Sequence, residues 1–546
     1  MLPLRFPTLL VAIASYLLPF GAVASAQYRP QSADMGPDQL RRIGLEQAWQ
    51  THIAVDDARG RIEFVRAHTS FLRKTKVFQI VHATGKEIVT EKQIDPFGRV
   101  MGVEGARLEV QDRMDILKAR GIEAKVEEID IPEVTVYVQT SNGTLHAVDG
   151  ETGATRWVHG LGRHDHPTLE PIANDHYAAV VNGSNVFVVN LETNELEWSH
   201  ALSSAPAAGP ALTDRYVCVP LIGGQLECIE IADPIATPIR ISCTGHGIAP
   251  ATVTPSTISW PTDRGFLYAS NLASFGMKFR LATTGPIVSP STYHAPGRLY
   301  VASIDGYVYA IDETDGDIVW RFSAGETIET SPMQIGDHVF VTTLRSGMFA
   351  IDANDGSTKW WVAGVRQLLA VTASRVYCYD STGSLLVLDV NTGGTVSRMM
   401  MPRMELLVTN SQTDRLYLGT GRGMIRCLRE IGGDWPLVHV ADPQVASLVE
   451  APPRRAAELA GSGEPSDADE SPSDAETPDE ADAAAPMDNA APAADDAVGP
   501  ADDFFGDDGF GAPDAPTDPP KPADDGGTDS SGSSDGFDDF FGTDGL

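Results

Sequence analysis

Cysteine is scarce and badly placed for metal or redox chemistry. The chain has five, with no adjacent pair, no Cys-x-x-Cys and no zinc-type spacing. Long apolar runs are missing too. Leu9–Leu18 is too short to span a bilayer and no later stretch is longer, so no transmembrane segment is expected. A glycine-rich phosphate loop, a nucleophile elbow, a His-Glu-x-x-His pair and an EF-hand loop are all absent. Positive charge is in deficit, with 40 Lys and Arg against 75 Asp and Glu and a net charge of −35, which argues against nucleic acid as a partner. These absences leave no catalytic, cofactor-binding or metal-ligating residue to nominate.

What remains is organised in four parts. Residues 1–26 read as a secretory signal, with Arg5 ahead of the apolar run and Ala24-Ser25-Ala26 as a small-residue cleavage site. No cysteine lies near that site to carry a lipid, so a lipoprotein anchor is not expected. Residues 27–124 form an N-terminal segment and residues 125–440 a regular repeat. Residues 441–546 turn to Ala, Pro, Asp, Glu, Ser and Gly, with 28 acidic against 3 basic residues. Such a tract cannot bury enough apolar surface to offset its ordering entropy and is expected to be disordered. It carries −25 of the charge and leaves −10 for the rest.

The repeat is centred on Leu299–Trp320, LYVASIDGYVYAIDETDGDIVW, which reads as three short strands joined by tight turns at Asp305-Gly306 and Asp312–Gly316. The residue at the end of the second strand recurs as Asp149, Asn190, Glu230, Asn271, Asp312, Asp352, Asp389 and Arg429, at intervals of 37 to 41 residues. Three strands cannot bury both faces alone. Eight in-phase copies predict an all-β, eight-bladed β-propeller with four-stranded antiparallel blades.

The N-terminal segment fits this period less well. Gln39–His52 has a helical look, but Leu45–Ile53 with Trp49 also resembles an outer blade strand and is expected to close the ring against the last repeat, near Leu416–Leu428. The alternative is that Asp434–Val440, with Trp435, completes that blade. Residues 60–121 fit no repeat and read as a small α+β insertion, with Arg107–Arg120 as a helix burying Leu108, Met114 and Leu117.

Three repeats share a longer pattern. It runs Ala147-Val148-Asp149 to Trp157, Ala310-Ile311-Asp312 to Trp320 and Ala350-Ile351-Asp352 to Trp360, with a looser copy from Val188 to Trp198. Trp157, Trp198, Trp320 and Trp360 are expected to dock, mostly buried, against the neighbouring blade. Phe279 stands in the Trp place of the fourth repeat. This pattern resembles the tryptophan-docking repeat of quinoprotein-like, or PQQ-like, β-propellers, and resembles its BamB-like branch most. The N-terminal addition and acidic tail are also similar to secreted planctomycete-type proteins. The resemblance implies a non-catalytic, periplasmic or secreted scaffold that binds a protein of the envelope, is monomeric and serves outer-membrane protein assembly. The other branch implies a quinoprotein oxidoreductase dependent on pyrroloquinoline quinone and calcium. Those enzymes typically carry adjacent cysteines over the quinone, which this chain lacks.

Three further features invite a role. The tail repeats a motif, as Asp502-Asp503-Phe504-Phe505-Gly506 and Asp538-Asp539-Phe540-Phe541-Gly542. Paired aromatics among carboxylates can anchor in a partner's pocket, so Phe504, Phe505, Phe540 and Phe541 are candidate partner-binding residues, or else the tract is a solubilising brush. His159, His164 and His166 lie on one blade-connecting loop, where solvation is the simpler reading than metal. Cys218 and Cys228 flank a hairpin turn, open to a cross-strand disulfide or to two buried thiols.

Overall fold

A computed structural model describes residues 35–56, 60–83 and 85–441. The signal segment, Phe504, Phe505, Phe540, Phe541 and the acidic tract lie outside the described residues. Helix α1 (Pro37–Arg42) and strand β1 (Leu45–His52) divide the stretch that looked helical, and Gly44 breaks between them at a φ of 81°. Then follow β2 (Ile62–His82), β3 (Gly85–Thr90), α2 (Gly102–Ala119), β4 (Ala124–Thr140), β5 (Thr144–Asp149) and β6 (Thr155–Gly160). Everything later is short antiparallel strand.

The strands form eight antiparallel sheets, seven of four strands and one of five, in an eight-bladed propeller. Blades 2 to 7 each take four consecutive strands. Blade 5 is typical, running Thr292–His294, Arg298–Ala302, Tyr307–Asp312 and Ile318–Ser323 from the axis outward. Blade 8 takes three consecutive strands and borrows its outermost from the other end of the chain. There β1 pairs with Met424–Glu430, with Trp49 opposite Cys427. Trp435 does not join a blade. Its ring lies 5.7 Å from the Lys86 ammonium.

Blade 1 is where the structure departs from the sequence reading. Its innermost strand is the first half of β2, with Ile62–Ser70 paired to β4. The propeller therefore includes residues placed in the insertion, and the insertion proper sits between the first and second strands of the blade. Beyond Ser70 and Glu133, β2 and β4 run on together as a two-stranded ribbon, β3 pairs along β2, and α2 covers one face. Ala106, Val110 and Leu117 of α2 pack on Phe78, Ile80 and Val89. Leu108, expected on the buried face, is 65 % exposed. The helix begins five residues earlier than its apolar pattern suggested, and Ala106 and Val110 take the inner positions.

The apolar core is divided among the seams. Eight clusters each join two neighbouring blades, and a ninth lies under α2. Most seams share a grammar. The Asp or Asn ending the third strand folds its side chain back onto the next turn, as Asp149 does with the N–H of Thr152 (2.9 Å) and Asp312 with that of Thr314 (2.8 Å). A glycine in that turn presents a bare backbone to the aromatic ring of the preceding blade. A Cβ at Gly153, Gly356 or Gly393 would meet the indoles of Trp49, Trp320 or Trp360 within 2.6–2.8 Å. The indole N–H then donates to the carbonyl one residue beyond the turn's anchor. Trp49 bonds Gly150 (2.8 Å), Trp198 Ile231 (2.9 Å), Trp320 Ala353 (3.0 Å) and Trp360 Val390 (2.8 Å). Phe279 stacks on Gly316 without a donor.

Trp157 and Trp198 are half-buried, more open than expected, whereas Trp320 and Trp360 are buried. The turn facing Trp157 has Asn194, at φ 57°, where others have glycine. The Leu191 carbonyl that would accept its indole N–H is bonded by Arg73 (3.0 Å). Two seams use other chemistry. Between blades 3 and 4, Ile239 holds the docking position, and Phe275 reaches back edge-on to Tyr216 (4.8 Å). Between blades 7 and 8 the position is Ser397, and Glu430 accepts from Tyr377 (2.9 Å) and Thr372 (3.1 Å). Cys218 and Cys228 sit directly opposite and both remain thiols. Cys378 and Cys427 are buried and Cys243 half-buried.

Replacing Trp320 by Ala removes a buried ring and its hydrogen bond, and should cost about 3–5 kcal/mol. Trp157→Ala should cost clearly less. Denaturant melts of the two variants check the order, and equal losses would contradict this account of the seams.

Candidate functional site

The ring encloses an axial channel of about 770 Å³. Its wall is made of the innermost strands, and their polar side chains mostly reach sideways rather than inward. Thr252 donates to the Ser291 carbonyl (2.6 Å), Thr292 to that of Pro332 (2.6 Å) and Gln367 to that of Leu407 (2.7 Å), each in the next blade. Arg66 pairs with Glu170 (3.1 Å), and the Thr69 N–H meets Gln412 (2.9 Å). The hydroxyls and amides that could have turned to a ligand hold blade to blade instead.

The ribbon with β3 and α2 forms an arm, and its fixation on the propeller is specific. At its base the register of β2 slips between Ser70 and Lys74. The released residues reach over to blade 2. Arg73 takes the Leu191 carbonyl, the Phe71 N–H meets Asp175 (3.3 Å), and His68 pairs with the same carboxylate (3.0 Å). On the other flank Lys92 joins Glu133 (2.7 Å) and Asp149 (2.6 Å), and Arg156 bonds both carboxylates as well. Asp149 is thus a turn anchor and the arm's mooring at once. Burial pushes its carboxyl up, but Lys92 and Arg156 together hold it well below the usual carboxylate range. The same opposition leaves Glu133 lowered. Further out, Lys86 pairs with Asp434 beside Trp435. Between arm and propeller lies a cleft of about 200 Å³, walled by Val77, Ile88 and Ile131 and roofed by Trp435.

The arm also carries apolar surface that nothing covers. Of the 23 large apolar side chains that are exposed among the described residues, eight lie between Leu72 and Val126. Three of them share one hairpin, Ile94 at 64 %, Phe97 at 82 % and Val100 at 67 %. The hairpin is held stiffly. Ile94 bridges Val100, the Gly98 N–H closes on the Asp95 carbonyl (2.9 Å), and the Asp95 carboxylate accepts from the N–H groups of Phe97 (2.9 Å) and Arg99 (2.8 Å). The Arg99 guanidinium lies over the Phe97 ring at 5.5 Å. A rigid apolar knob presented to solvent is the mark of an interaction surface.

Sequence reading missed this hairpin, although its signal was there. Asp95-Pro96-Phe97-Gly98 is the residue order of a type I turn, with Asp first, Pro second and Gly last. The histidines of the loop at 159–166 do not converge. His159 bonds the Asn194 carbonyl (2.8 Å), Asp165 turns to Arg163 (3.2 Å), and His164 is exposed.

The mooring predicts a pH dependence with a definite sign. Asp149 and Glu133 have carboxyls lowered by folding, so their contribution is full above the unfolded value near pH ~4 and is lost as pH falls below it. Amide exchange in β3 and α2 should accelerate in that acid range before the blades far from the arm respond. Lys92→Met should destabilise the arm by about 1–3 kcal/mol at neutral pH. Acid exchange that is uniform over arm and propeller would contradict the mooring.

With the geometry in place, comparison with known proteins is direct. The family described as "Outer membrane protein assembly factor BamB" matches residues 53–233 and 270–398. The gap between them spans the seam of blades 3 and 4, where the docking ring is missing. The outer membrane protein assembly factor BamB of Moranella endobia (strain PCIT) is 18 % identical over 328 residues, 55 % of this chain and 84 % of that protein. The crystal structure of BamB from Moraxella catarrhalis aligns at a TM-score of 0.44 and 16 % identity, over 54 % of this chain and 93 % of that one. A computationally designed protein, Ika8, aligns at 0.43 and 13 %, over 54 % and 92 %. Matched over more than half its length, the chain belongs to the family of the outer membrane protein assembly factor BamB.

Proposed function

We propose that the protein is a non-catalytic scaffold of the cell envelope, delivered by the signal segment at residues 1–26, that holds a protein partner through the arm. The observation that carries this reading is the stiff hairpin with Ile94, Phe97 and Val100 exposed together on an anchored arm. An apolar knob costs solubility when bare, and a partner's pocket recovers that cost. Family membership supports a scaffold role, and outer-membrane protein assembly is the process it is proposed to serve. The paired aromatics Phe504, Phe505, Phe540 and Phe541 are proposed as a second handle for the same class of partner. The channel wall supports a non-catalytic reading, since its polar groups are engaged between blades.

Two measurements test this. Phe97→Asp should leave the melting temperature unchanged within about 2 °C, and should reduce recovery of cross-linked envelope proteins by roughly tenfold. An unchanged set of cross-linked proteins would remove the arm from the binding role. Purified protein given pyrroloquinoline quinone and calcium should show no dye-linked oxidation of alcohols or sugars. Turnover there would replace the scaffold reading with an oxidoreductase.

A further inference from the structure

The repeat offers an internal comparison at one position of the outermost strand. Arg240 stands opposite Glu227, Arg280 opposite Tyr268, Arg321 opposite Tyr309 and Arg398 opposite Leu386, all equivalent places in blades 3, 4, 5 and 7. In blades 3 and 7 the guanidinium is neutralised within its own blade. Arg240 pairs with the buried Glu227 (2.7 Å), and Arg398 with Asp380. In blades 4 and 5 it is not. Among the described residues no carboxylate oxygen lies within 4 Å of Arg280 or Arg321. Each is exposed and lies over an aromatic ring, Arg280 on Phe266 and Arg321 on Tyr307, both at 4.6 Å from the centroid. A guanidinium stacked in this way keeps its edge donors directed outward and loses little freedom on accepting a carboxylate.

Blade 6 holds Trp361 in the same place, opposite Phe349 and 49 % exposed. Phe322 of blade 5 lies 5.4 Å from Phe349, which lies 6.2 Å from Trp361, so three rings form an open notch at that seam. Three consecutive blades thus present arginine, arginine and an aromatic notch along one rim. The residue types are those that dominate binding energy at protein interfaces. Each arginine packs on its ring, and Arg280 also lies beside the Tyr268 hydroxyl, but neither is tied to a carboxylate as Arg240 and Arg398 are. Two cations are too few to hold a polyanion such as nucleic acid or an anionic bilayer, which takes many more contacts. They suit a short local run of carboxylates.

We propose that the outer rim of blades 4 to 6 binds an extended acidic segment of a partner protein, with carboxylates on Arg280 and Arg321 and an aromatic side chain in the Trp361 notch. This surface is separate from the arm, and it stands or falls without the arm's role.

The test uses the full chain and a fluorescein-labelled synthetic peptide, Asp-Asp-Asp-Phe-Asp-Asp, which does not occur in this chain, followed by anisotropy. Binding should weaken at least about tenfold between roughly 50 and 500 mM salt. It should fall by at least about tenfold for a peptide with Asn in place of Asp and for one with Ala in place of Phe. Arg280→Glu with Arg321→Glu should abolish it, Trp361→Ala should weaken it by about threefold or more, and Lys125→Glu on the arm should leave it unchanged. If the double charge reversal perturbs folding by circular dichroism, Arg280→Gln with Arg321→Gln replaces it and should still weaken binding by about tenfold. Full affinity in the folded double variant overturns the proposal. So does failure of the peptide to bind at about millimolar concentration, and so does arginine-dependent binding of phosphatidylglycerol vesicles by a protein that ignores the peptide.

Discussion

One contact decides whether this chain is a ring or a string of sheets. An aromatic side chain at the outer edge of one blade lies flat on the turn of the next and hands its N–H to the carbonyl just past that turn's anchor. At Trp49, Trp320 and Trp360 the receiving residue is a glycine, because a side chain there would occupy the ring's place, whereas Trp198 docks on a turn without one. At those three seams an Asp side chain anchors the receiving turn. Every blade meets a neighbour on either side, by this contact or by a substitute for it. Core volume is therefore spent on eight seams rather than one centre, and no blade is complete without two neighbours.

The exceptions show what the contact can be exchanged for. Where isoleucine replaces the ring, an aromatic residue from the receiving turn reaches backward instead. Where serine replaces it, a carboxylate shared by a tyrosine and a threonine holds the seam. Where the arm is attached, an arginine from the arm has taken the carbonyl and the tryptophan is left half-exposed. The arm is moored by displacing part of the machinery that joins blades 1 and 2, and Asp149 belongs to both.

Period and chemistry made most of the ring legible in the sequence. Asp312 and its seven equivalents mark the third strands, and Trp49 announced a blade strand far from the others. The innermost strands were not legible, because Ile172–Ala173 or Leu406–Leu407 is too short to show any alternation. The first strand of blade 1 is long enough to read as a strand, and its place in the insertion has another cause. Its partner β4 lies beyond the insertion's helix, and no local pattern links Ile62 to Thr140. The helix was found but misphased, since Ala106 and Leu108 exchange roles once the sheet beneath is known. Phe97 escaped because a lone exposed aromatic residue looks in sequence like any core residue. The unneutralised arginines could not be seen at all without the register that aligns them with Arg240 and Arg398.

The borrowed strand of blade 8 has a kinetic side. Glu46 and Arg429, which it brings together, are 383 residues apart in the chain. Seven blades can be laid down in order as the polypeptide emerges, each onto the last, but the eighth waits for a strand made at the start. Until then Met424–Glu430 has a bare edge and Leu45–His52 has no sheet to join. Bringing such distant ends together costs about 5 kcal/mol in loop entropy for a flexible chain, a cost that falls sharply once intervening blades have stacked and curved the ends toward each other. Ring closure is then a late, all-or-none step, and the interval before it is when an unpaired edge of another protein could be accepted by mistake.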